Sequence, residues 1–232
     1  ERIAMIKDLL DRLERKLIVS CQASKGQPFD SPYLLSLFAK AAEIGGAGGI
    51  RANQPDNVIA IKNAVDLPVI GIVKQYIPGR EVFITPEFDD AASIAREGAD
   101  IIAMDCTLRE DREFEVRKIV SKMRNSYPVA LMADVSTFEE ALLAQDLGFD
   151  FIAPTLTGFT CYTSQSSKFD IDLLEKMCKS LTVPVIAEGH IRTPEQAREA
   201  IRVGSFAVVV GKAITMPSEI TKWFVQEIES SH

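Results

Sequence analysis

Short apolar runs alternate with longer amphipathic segments along the whole chain. Eight runs rich in Ile, Val and Ala are predicted to be β-strands, at residues 17–20, 49–51, 69–73, 101–105, 130–134, 151–153, 185–188 and 207–210. These runs are continuously apolar, which is typical of strands in a parallel sheet that is buried on both faces. Their carboxyl ends follow one another at intervals of 21 to 33 residues, which matches the roughly 30 residues of one strand–helix unit.

The segments between the strands carry the signals of helix starts and stops. Thr137 and Thr193 are predicted N-caps, because each is followed three residues later by Glu or Gln. Gly98, Gly148 and Gly204 each stand where a helix ends and the next strand begins. Strand and helix therefore alternate regularly.

Eight such units in 232 residues predict an α/β fold, a (β/α)8 TIM barrel that forms a single domain over residues 1–232. An open doubly wound sheet is the alternative, but it would need fewer strands or a Gly-rich turn after the first strand, and residues 20–22 form no such turn. Residues 1–15 are predicted to form an extra helix that caps the bottom of the barrel, because their apolar positions follow helical spacing.

Composition narrows the classes of partner. The net charge of −7 and the pI of about 5.0 argue against nucleic acid or an anionic membrane. No apolar run approaches the ~20 residues of a transmembrane helix. The four cysteines show no C-x-x-C spacing and no signal peptide is visible, so a cytoplasmic location is expected.

In a barrel of this kind the active site lies at the carboxyl ends of the strands. Eight residues are predicted to share that mouth: Gln22, Arg51, Lys74, Asp105, Asp134, Thr155, Glu188 and Gly211. Lys74 and Glu188 each end a β-branched apolar run abruptly. A buried strand tolerates a charge there only where the charge reaches water, a partner or a substrate.

Each of these charges has a structural and a catalytic interpretation. Lys74 either extends to solvent or has a pKa lowered by burial and a nearby cation such as Arg51, which would make it a base for a C–H bond. Glu188 either pairs with Lys74 or Arg192, or acts as a second acid/base. Asp134 and Asp105 are weaker candidates that could orient Lys74, and Asp105 is expected to be structural.

The last two loops predict a phosphate site. Barrels often bind phosphate after strands 7 and 8, where Gly189 and Gly211 allow close approach of the backbone and Arg192 and Lys212 supply charge. No metal is expected, because His190 and the terminal His232 are the only histidines.

The motifs of this chain resemble those of the N-acetylmannosamine-6-phosphate 2-epimerase family. They span nearly the whole chain, at residues 17–22, 49–53, 67–74, 132–134, 155–160, 185–189 and 210–215. The Val-Ser-Cys-Gln and Gly-Ile-Val-Lys motifs are specific, whereas the glycine turns alone are not. That family consists of (β/α)8 barrels of bacterial sialic acid catabolism, which form N-acetylglucosamine 6-phosphate without a cofactor.

The resemblance implies a role for each residue of the predicted site. Lys74 and Glu188 would be the catalytic pair. The sugar-binding or supporting residues implied are Gln22, Arg51, Asp134 and, through the 155–160 loop, Thr155. The phosphate-binding residues implied are Gly189, His190, Arg192, Gly211 and Lys212.

Two positions depart from the family pattern. Gln75-Tyr76 follows the lysine where Arg-Asp is usual, and Met216 stands where an arginine near the phosphate is usual. Lys212, where a small residue is usual, would compensate for the lost arginine.

The expected reaction is ring opening, removal of the C2 proton by Lys74 and reprotonation on the other face, by Lys74 after substrate rotation or by Glu188. A Schiff-base aldolase and a non-catalytic sugar-phosphate-binding barrel are the alternatives. A homodimer is possible through the final helix, although packing of that helix on its own barrel would equally explain its apolar residues.

Overall fold

A computed structural model describes residues 2–23, 25–109, 112–165 and 168–230 of the chain. Glu1 and His232, to which the sequence analysis refers, lie outside the described residues. The eight strands are β1 Leu17–Cys21, β2 Gly49–Asn53, β3 Val69–Ile72, β4 Ile101–Asp105, β5 Ala130–Asp134, β6 Phe151–Ala153, β7 Ile186–Ala187 and β8 Ala207–Val210. The helices are α1 Arg2–Leu13, α2 Pro32–Ile44, α3 Pro55–Lys62, α4 Phe88–Arg96, α5 Glu113–Ser126, α6 Phe138–Asp146, α7 Ile171–Ser180, α8 Pro194–Arg202, α9 Lys212–Thr215 and α10 Pro217–Glu229.

All eight predicted strands are present, and the sheet they form is parallel throughout. Its order is β6-β5-β4-β3-β2-β1-β8-β7. A parallel bridge between Ile152 and Val185 brings β6 and β7 together, where the amide of Ile152 donates to the carbonyl of Pro184 at 3.2 Å. The predicted (β/α)8 barrel is therefore confirmed, and the two strands beside its closing seam are the shortest.

Buried side chains form two layers, one inside the barrel and one between its strands and helices. The inner layer contains Ile18, Ile70, Phe151 and Val209 from the strands. Leu9 and Leu13 of α1 belong to the same inner layer and are almost fully buried. The N-terminal helix thus closes the barrel at one end, as the sequence predicts.

Local signals in the sequence determine where helices begin and end. Thr137 and Thr193 both form complete capping boxes, each side-chain oxygen accepting from the backbone amide three residues later. Gly98, Gly148 and Gly204 adopt φ values of +87°, +83° and +109° after helix ends, a conformation that favours glycine.

The last helix makes little contact with the outside of its own barrel. None of the residues Pro217–Glu229 is buried, and Phe224 and Ile228 are 68% and 67% exposed. The outer face of β1 and β8 is instead open. It forms an apolar groove of about 410 Å³, here called the β1–β8 groove, whose apolar walls are Leu17, Ala197, Ile201, Val208, Val210, Ala213 and Ile214.

No helix in the described part of the chain is long and apolar enough to cross a membrane.

Candidate active site

A cavity of about 360 Å³ opens at the carboxyl ends of the strands. The family resemblance implies roles for eleven residues, and nine of them line this cavity: Gln22, Lys74, Thr155, Glu188, Gly189, His190, Arg192, Gly211 and Lys212. The other two, Arg51 and Asp134, lie beneath its floor and are 1% and 0% exposed. They hold the residues of the cavity in place and are not part of its wall.

The period of two along each strand explains why these side chains meet. On β2, Ile50 and Ala52 pack in the outer layer, so Arg51 points inward. On β5 the outward residues are Leu131 and Ala133, so Asp134 points inward as well.

Lys74 and Glu188 stand on opposite sides of the mouth. Lys74 follows β3 and Glu188 follows β7, and in the closed ring of eight strands these are four strands apart in either direction. A flat reacting carbon between them would present one face to each side chain.

Arg51 connects the carboxylates of the site. Its Nη2 lies 2.6 Å from Asp134 Oδ2, and its Nη1 donates to Glu188 Oε2 at 2.7 Å and to Asp134 Oδ1 at 3.1 Å. Burial alone would lower the pKa of Arg51, but the two carboxylates outweigh it and raise the pKa above its ordinary value. The guanidinium is therefore a permanent charge in the floor.

Glu188 has a pKa near neutrality. Burial is the largest cause, and it raises the pKa to about 7 against the opposing charge of Arg51, with the Asp134 carboxylate adding to the rise. The ion pair expected from the sequence, with Lys74 or Arg192, is made with Arg51 instead. Glu188 can therefore hold or release a proton at neutral pH.

The backbone of Lys74 is fixed on both sides. Its amide donates to Asn53 Oδ1 at 2.8 Å and its carbonyl accepts from Gln54 Nε2 at 3.0 Å. Burial lowers the pKa of the Lys74 ammonium to about 8, with Arg51 as the second cause. These are the two causes that the sequence analysis predicts, and a fraction of Lys74 is consequently a neutral base at pH 7.

Two polar groups in the wall have specific orientations. Gln22 Nε2 donates to Ser20 Oγ at 2.7 Å, which leaves Gln22 Oε1 buried with no hydrogen-bond partner among the described residues. The Thr155 hydroxyl donates to Asp134 Oδ1 at 2.6 Å. An acceptor on Gln22 thus remains available to a ligand in the cavity.

One end of the cavity is cationic. Arg192 and Lys212 both line it and both are exposed, and Met216 lies beside them. A Cβ at Gly211 would come within 3.2 Å of the Ser20 Cβ, a tight contact, so glycine gives this turn the closest approach to β1. Gly189 has a φ of +118°, so its turn requires glycine.

His190 is held as a neutral ring beside this end. Its Nε2 lies 3.1 Å from the carbonyl oxygen of Thr157, and the ring stacks on Phe159 with centroids 5.2 Å apart. Burial lowers the pKa of His190, and the charges of Arg192 and Lys212 lower it further. At neutral pH the uncharged imidazole therefore lines the cavity and connects its own loop to the loop that contains Thr157 and Phe159.

An aromatic wall of the cavity was not predictable from the strand pattern. Tyr76 and Phe83 stack with centroids 5.5 Å apart, and both line the cavity. They lie in the loop after β3, where Lys74 and Ile84 form an isolated antiparallel bridge. A loop of this kind has no hydrophobic period; the placement of Tyr76 two residues after Lys74 was the one available signal.

Asp105 is part of a separate structural network. It accepts from Arg109 Nη2 at 2.6 Å and from the amide and hydroxyl of Thr107. It is fully buried and does not line the cavity. Within the described ranges, no group of three or more His, Cys, Asp or Glu side chains could hold a metal ion.

Comparison with known proteins gives a consistent result. Residues 35–230 match the model of a family described as "Putative N-acetylmannosamine-6-phosphate epimerase". A protein of Shouchella clausii named "Putative N-acetylmannosamine-6-phosphate 2-epimerase" is 46% identical over 224 residues, which cover 95% of this chain and 99% of that protein. A protein of the same name from Caldanaerobacter subterraneus is 44% identical over 227 residues, covering 97% and 96%.

A solved structure agrees with these matches. The N-acetylmannosamine-6-phosphate 2-epimerase from Clostridium perfringens superposes with a TM-score of 0.89 at 39% identity, covering 94% of this chain and 95% of that one. The similarity therefore extends over the entire barrel, including all the strands that carry the cavity.

Proposed function

The chain belongs to the N-acetylmannosamine-6-phosphate epimerase family, and on that premise we propose that its cavity epimerises N-acetylmannosamine 6-phosphate at C2 to give N-acetylglucosamine 6-phosphate, without a cofactor. The reaction belongs to the degradation of sialic acid. One observation supports the chemistry above all: a lysine with a pKa of about 8 and a glutamic acid with a pKa of about 7 face one cavity from opposite sides.

The first step is opening of the pyranose ring, because the C2 proton becomes acidic only when C1 is a carbonyl. As the bond between C1 and the ring oxygen breaks, protonated Glu188 donates its proton to the ring oxygen and takes up the proton of the C1 hydroxyl, a task suited to a carboxyl group whose pKa is about 7. Arg51, bound to both carboxylates, holds Glu188 in place throughout.

Lys74 then removes the C2 proton. At pH 7 about a tenth of a lysine with a pKa of about 8 is neutral, which is far more than for an ordinary lysine. The enediolate that forms is stabilised by the cationic and N–H donors of the cavity.

The positions of Lys74 and Glu188 favour a second catalytic group, on the other side of the cavity, for the return of the proton to C2. One-base catalysis by Lys74 would require the substrate to rotate in the cavity. Because Glu188 already stands across the cavity from Lys74, its carboxyl group can deliver a proton to the other face of C2. We therefore favour Lys74 as the base on one face of C2 and the Glu188 carboxyl group as the acid on the other.

The phosphate is bound at the cationic end. Arg192 and Lys212 supply positive charge, and the turns at Gly189 and Gly211 bring the backbone close to the cavity. Met216 supplies no charge, so more of the attraction rests on Arg192 and Lys212. Remote binding of the phosphate helps to hold the reactive open chain.

A direct assay tests this function. N-Acetylmannosamine 6-phosphate is incubated with the protein and EDTA, and the product is identified by proton NMR; the unphosphorylated sugar serves as the comparison substrate. Formation of N-acetylglucosamine 6-phosphate with EDTA present, and much slower turnover of the unphosphorylated sugar, is the expected result. No turnover of the phosphorylated sugar would contradict the proposal and favour a binding-only barrel.

The groove and the exposed last helix support a proposal for the quaternary structure. In a (β/α)8 barrel the helices form a closed outer ring, yet here the β1–β8 groove is empty and α10 buries no residue. We infer a homodimer in which α10 of each copy fills the β1–β8 groove of the other. Phe224 and Ile228 would supply the apolar contact.

The charges of the two surfaces are complementary. Four cations border the groove, Arg15, Lys16, Arg192 and Arg198. The helix α10 carries three glutamates, Glu219, Glu227 and Glu229, against the single Lys222, which pairs with Glu219. Light scattering after gel filtration should give twice the chain mass for the wild type and a reduced mass for Ile228→Asp. A wild-type monomer at micromolar concentration would contradict a homodimer in which the two copies exchange α10.

A reducing compartment such as the cytoplasm fits this function. The four cysteines are free thiols, and stable free thiols are typical of reducing compartments.

A further inference from the structure

The single tryptophan of the chain lies against a cation of the cavity. Trp223 is on α10, and the guanidinium carbon of Arg192 lies 5.1 Å from the centroid of its ring. Arg192 also lines the cavity, and it borders the β1–β8 groove as well. An Arg stacked on an indole gains a cation–π attraction of about 0.5–1 kcal/mol at exposed sites.

This contact explains an otherwise unexplained feature of α10. Trp223 is partly buried, whereas every other residue from Thr221 to Ser230 is exposed. Beyond its first turn, where Glu219 and Ile220 are also partly buried, the helix is therefore held by one ring, and that ring contacts a cation of the site.

Cations that could meet a ligand phosphate are few. Among the described residues lining the cavity, only Lys74, Arg192 and Lys212 carry a positive side chain. Lys74 acts as the base, and Met216 contributes no charge. Arg192 is exposed and has a long side chain, so without a partner it would sample many rotamers, and fixing it on a ligand would cost entropy.

We propose that Trp223 is a positioning residue, which holds the Arg192 guanidinium at the phosphate end of the cavity before substrate arrives. The inference deepens the proposed function and rests on it in identifying the anion as the phosphate of a sugar phosphate. It connects α10 directly to substrate affinity, since the ring that holds Arg192 belongs to the helix outside the barrel.

Kinetics of a double-mutant cycle test this role. Trp223→Leu should raise KM for N-acetylmannosamine 6-phosphate by roughly twofold to fivefold with kcat little changed, the loss expected for one cation–π contact. Arg192→Gln should raise KM by roughly tenfold or more. Because Trp223 acts through Arg192, the double variant should be no worse than Arg192→Gln alone.

A matched control is available on α5. Phe114→Leu removes an aromatic ring that lies under Lys118 Nζ, 3.9 Å from the ring centroid, away from the cavity. Its KM should equal that of the wild type. Effects of Trp223→Leu and Arg192→Gln that multiply, or a fall in kcat and thermal stability with KM unchanged, would overturn the positioning role.

Fluorescence gives a readout that does not depend on turnover. Because Trp223 is the only tryptophan, N-acetylglucosamine 6-phosphate should change its emission saturably, and N-acetylglucosamine should not. The change should disappear in Arg192→Gln. A saturable change in a protein that turns over no hexosamine phosphate would support this inference while contradicting the epimerase; turnover without any change in emission would overturn this inference alone.

Discussion

Arg51 Nη1 lies 2.7 Å from Glu188 Oε2 in the floor of the cavity, and the same guanidinium also binds Asp134 through both of its Nη atoms. This shared cation keeps two carboxylates together where burial would otherwise separate or neutralise them. It also explains how the pKa of Glu188 stays near 7 and does not rise further. The ion-pair network thus determines both the position and the proton affinity of the proposed acid/base.

Replacing Arg51 by an uncharged residue should strongly destabilise the fold. Arg51→Met leaves Asp134 and Glu188 buried without their partner, and breaking a buried pair in this way costs about 3–5 kcal/mol of the free energy of unfolding. Urea denaturation at pH 7 measures that loss, and Arg51→Lys, which retains a charge, should lose less. A Met variant as stable as the wild type would contradict the account of the floor.

Lys74→Met should abolish turnover and stabilise the fold. In the unfolded chain Lys74 has its ordinary pKa of about 10.5, whereas in the native state its pKa is about 8. Protonation thus disfavours the native state fully below pH 8, less as the pH rises, and not at all above pH 10.5.

The gain for Lys74→Met at pH 7 should be on the order of 2–3 kcal/mol, and it should shrink by pH 9. Urea midpoints at the two pH values measure it, with Lys7→Met on the surface of α1 as the control. A stability gain that does not vary with pH would show that burial of the ammonium is not the cause, and retained turnover would refute the role of Lys74 as the base.

The pH profile of kcat/KM should be bell-shaped. Activity rises with pH as Lys74 loses its proton around pH 8, and falls as Glu188 loses the proton it must supply around pH 7. The maximum therefore lies between pH 7 and 8, with two apparent pKa values that belong to the pair. A profile that only rises would show that a protonated Glu188 is not needed.

Affinity for the phosphorylated substrate should depend on the positive charge at the cationic end of the cavity. Lys212→Ser should raise KM for the phosphorylated substrate by roughly tenfold, since a charge-assisted contact contributes about 1.5–3 kcal/mol. Met216→Arg in the Lys212→Ser background should recover part of that affinity, because residue 216 lines the same end. A KM unchanged by Lys212→Ser would place the phosphate elsewhere.

Borohydride separates the epimerase from a Schiff-base aldolase. An imine at Lys74 would be reduced to a stable adduct on treatment with substrate and borohydride. Mass spectrometry of the intact chain should show no mass increase. A stoichiometric adduct at Lys74 would replace proton transfer with covalent catalysis.

Much of the barrel was predictable because its signals are local. Strands of continuous apolar residues, two threonine capping boxes and three glycines with positive φ all depend on a few neighbouring residues. The rule that barrel active sites lie at the carboxyl ends of the strands then placed Lys74 and Glu188 at one mouth. A pKa lowered by burial and Arg51 was also predictable, since it depends on the strands being neighbours.

Features that depend on the reach of long side chains, on loop conformation or on which surface a helix packs against were not predictable. Arg51 reaches across the barrel to Glu188, which the pairing of β2 with its neighbours does not indicate. The Tyr76–Phe83 stack lies in a loop without a period. The apolar pattern of α10 is the same whether it packs on its own barrel or on another copy, so the open β1–β8 groove left no trace in the sequence.

The most direct test of the central claim is the isotope content of the earliest product in D₂O. N-Acetylmannosamine 6-phosphate with protium at C2 is converted to less than a tenth of completion, and the C2 position of the N-acetylglucosamine 6-phosphate formed is examined by NMR and mass spectrometry. Removal of the proton by Lys74 and return of a solvent-derived deuteron by Glu188 predicts one deuteron at C2 in nearly all product. Product that retains the original C2 proton would contradict the account.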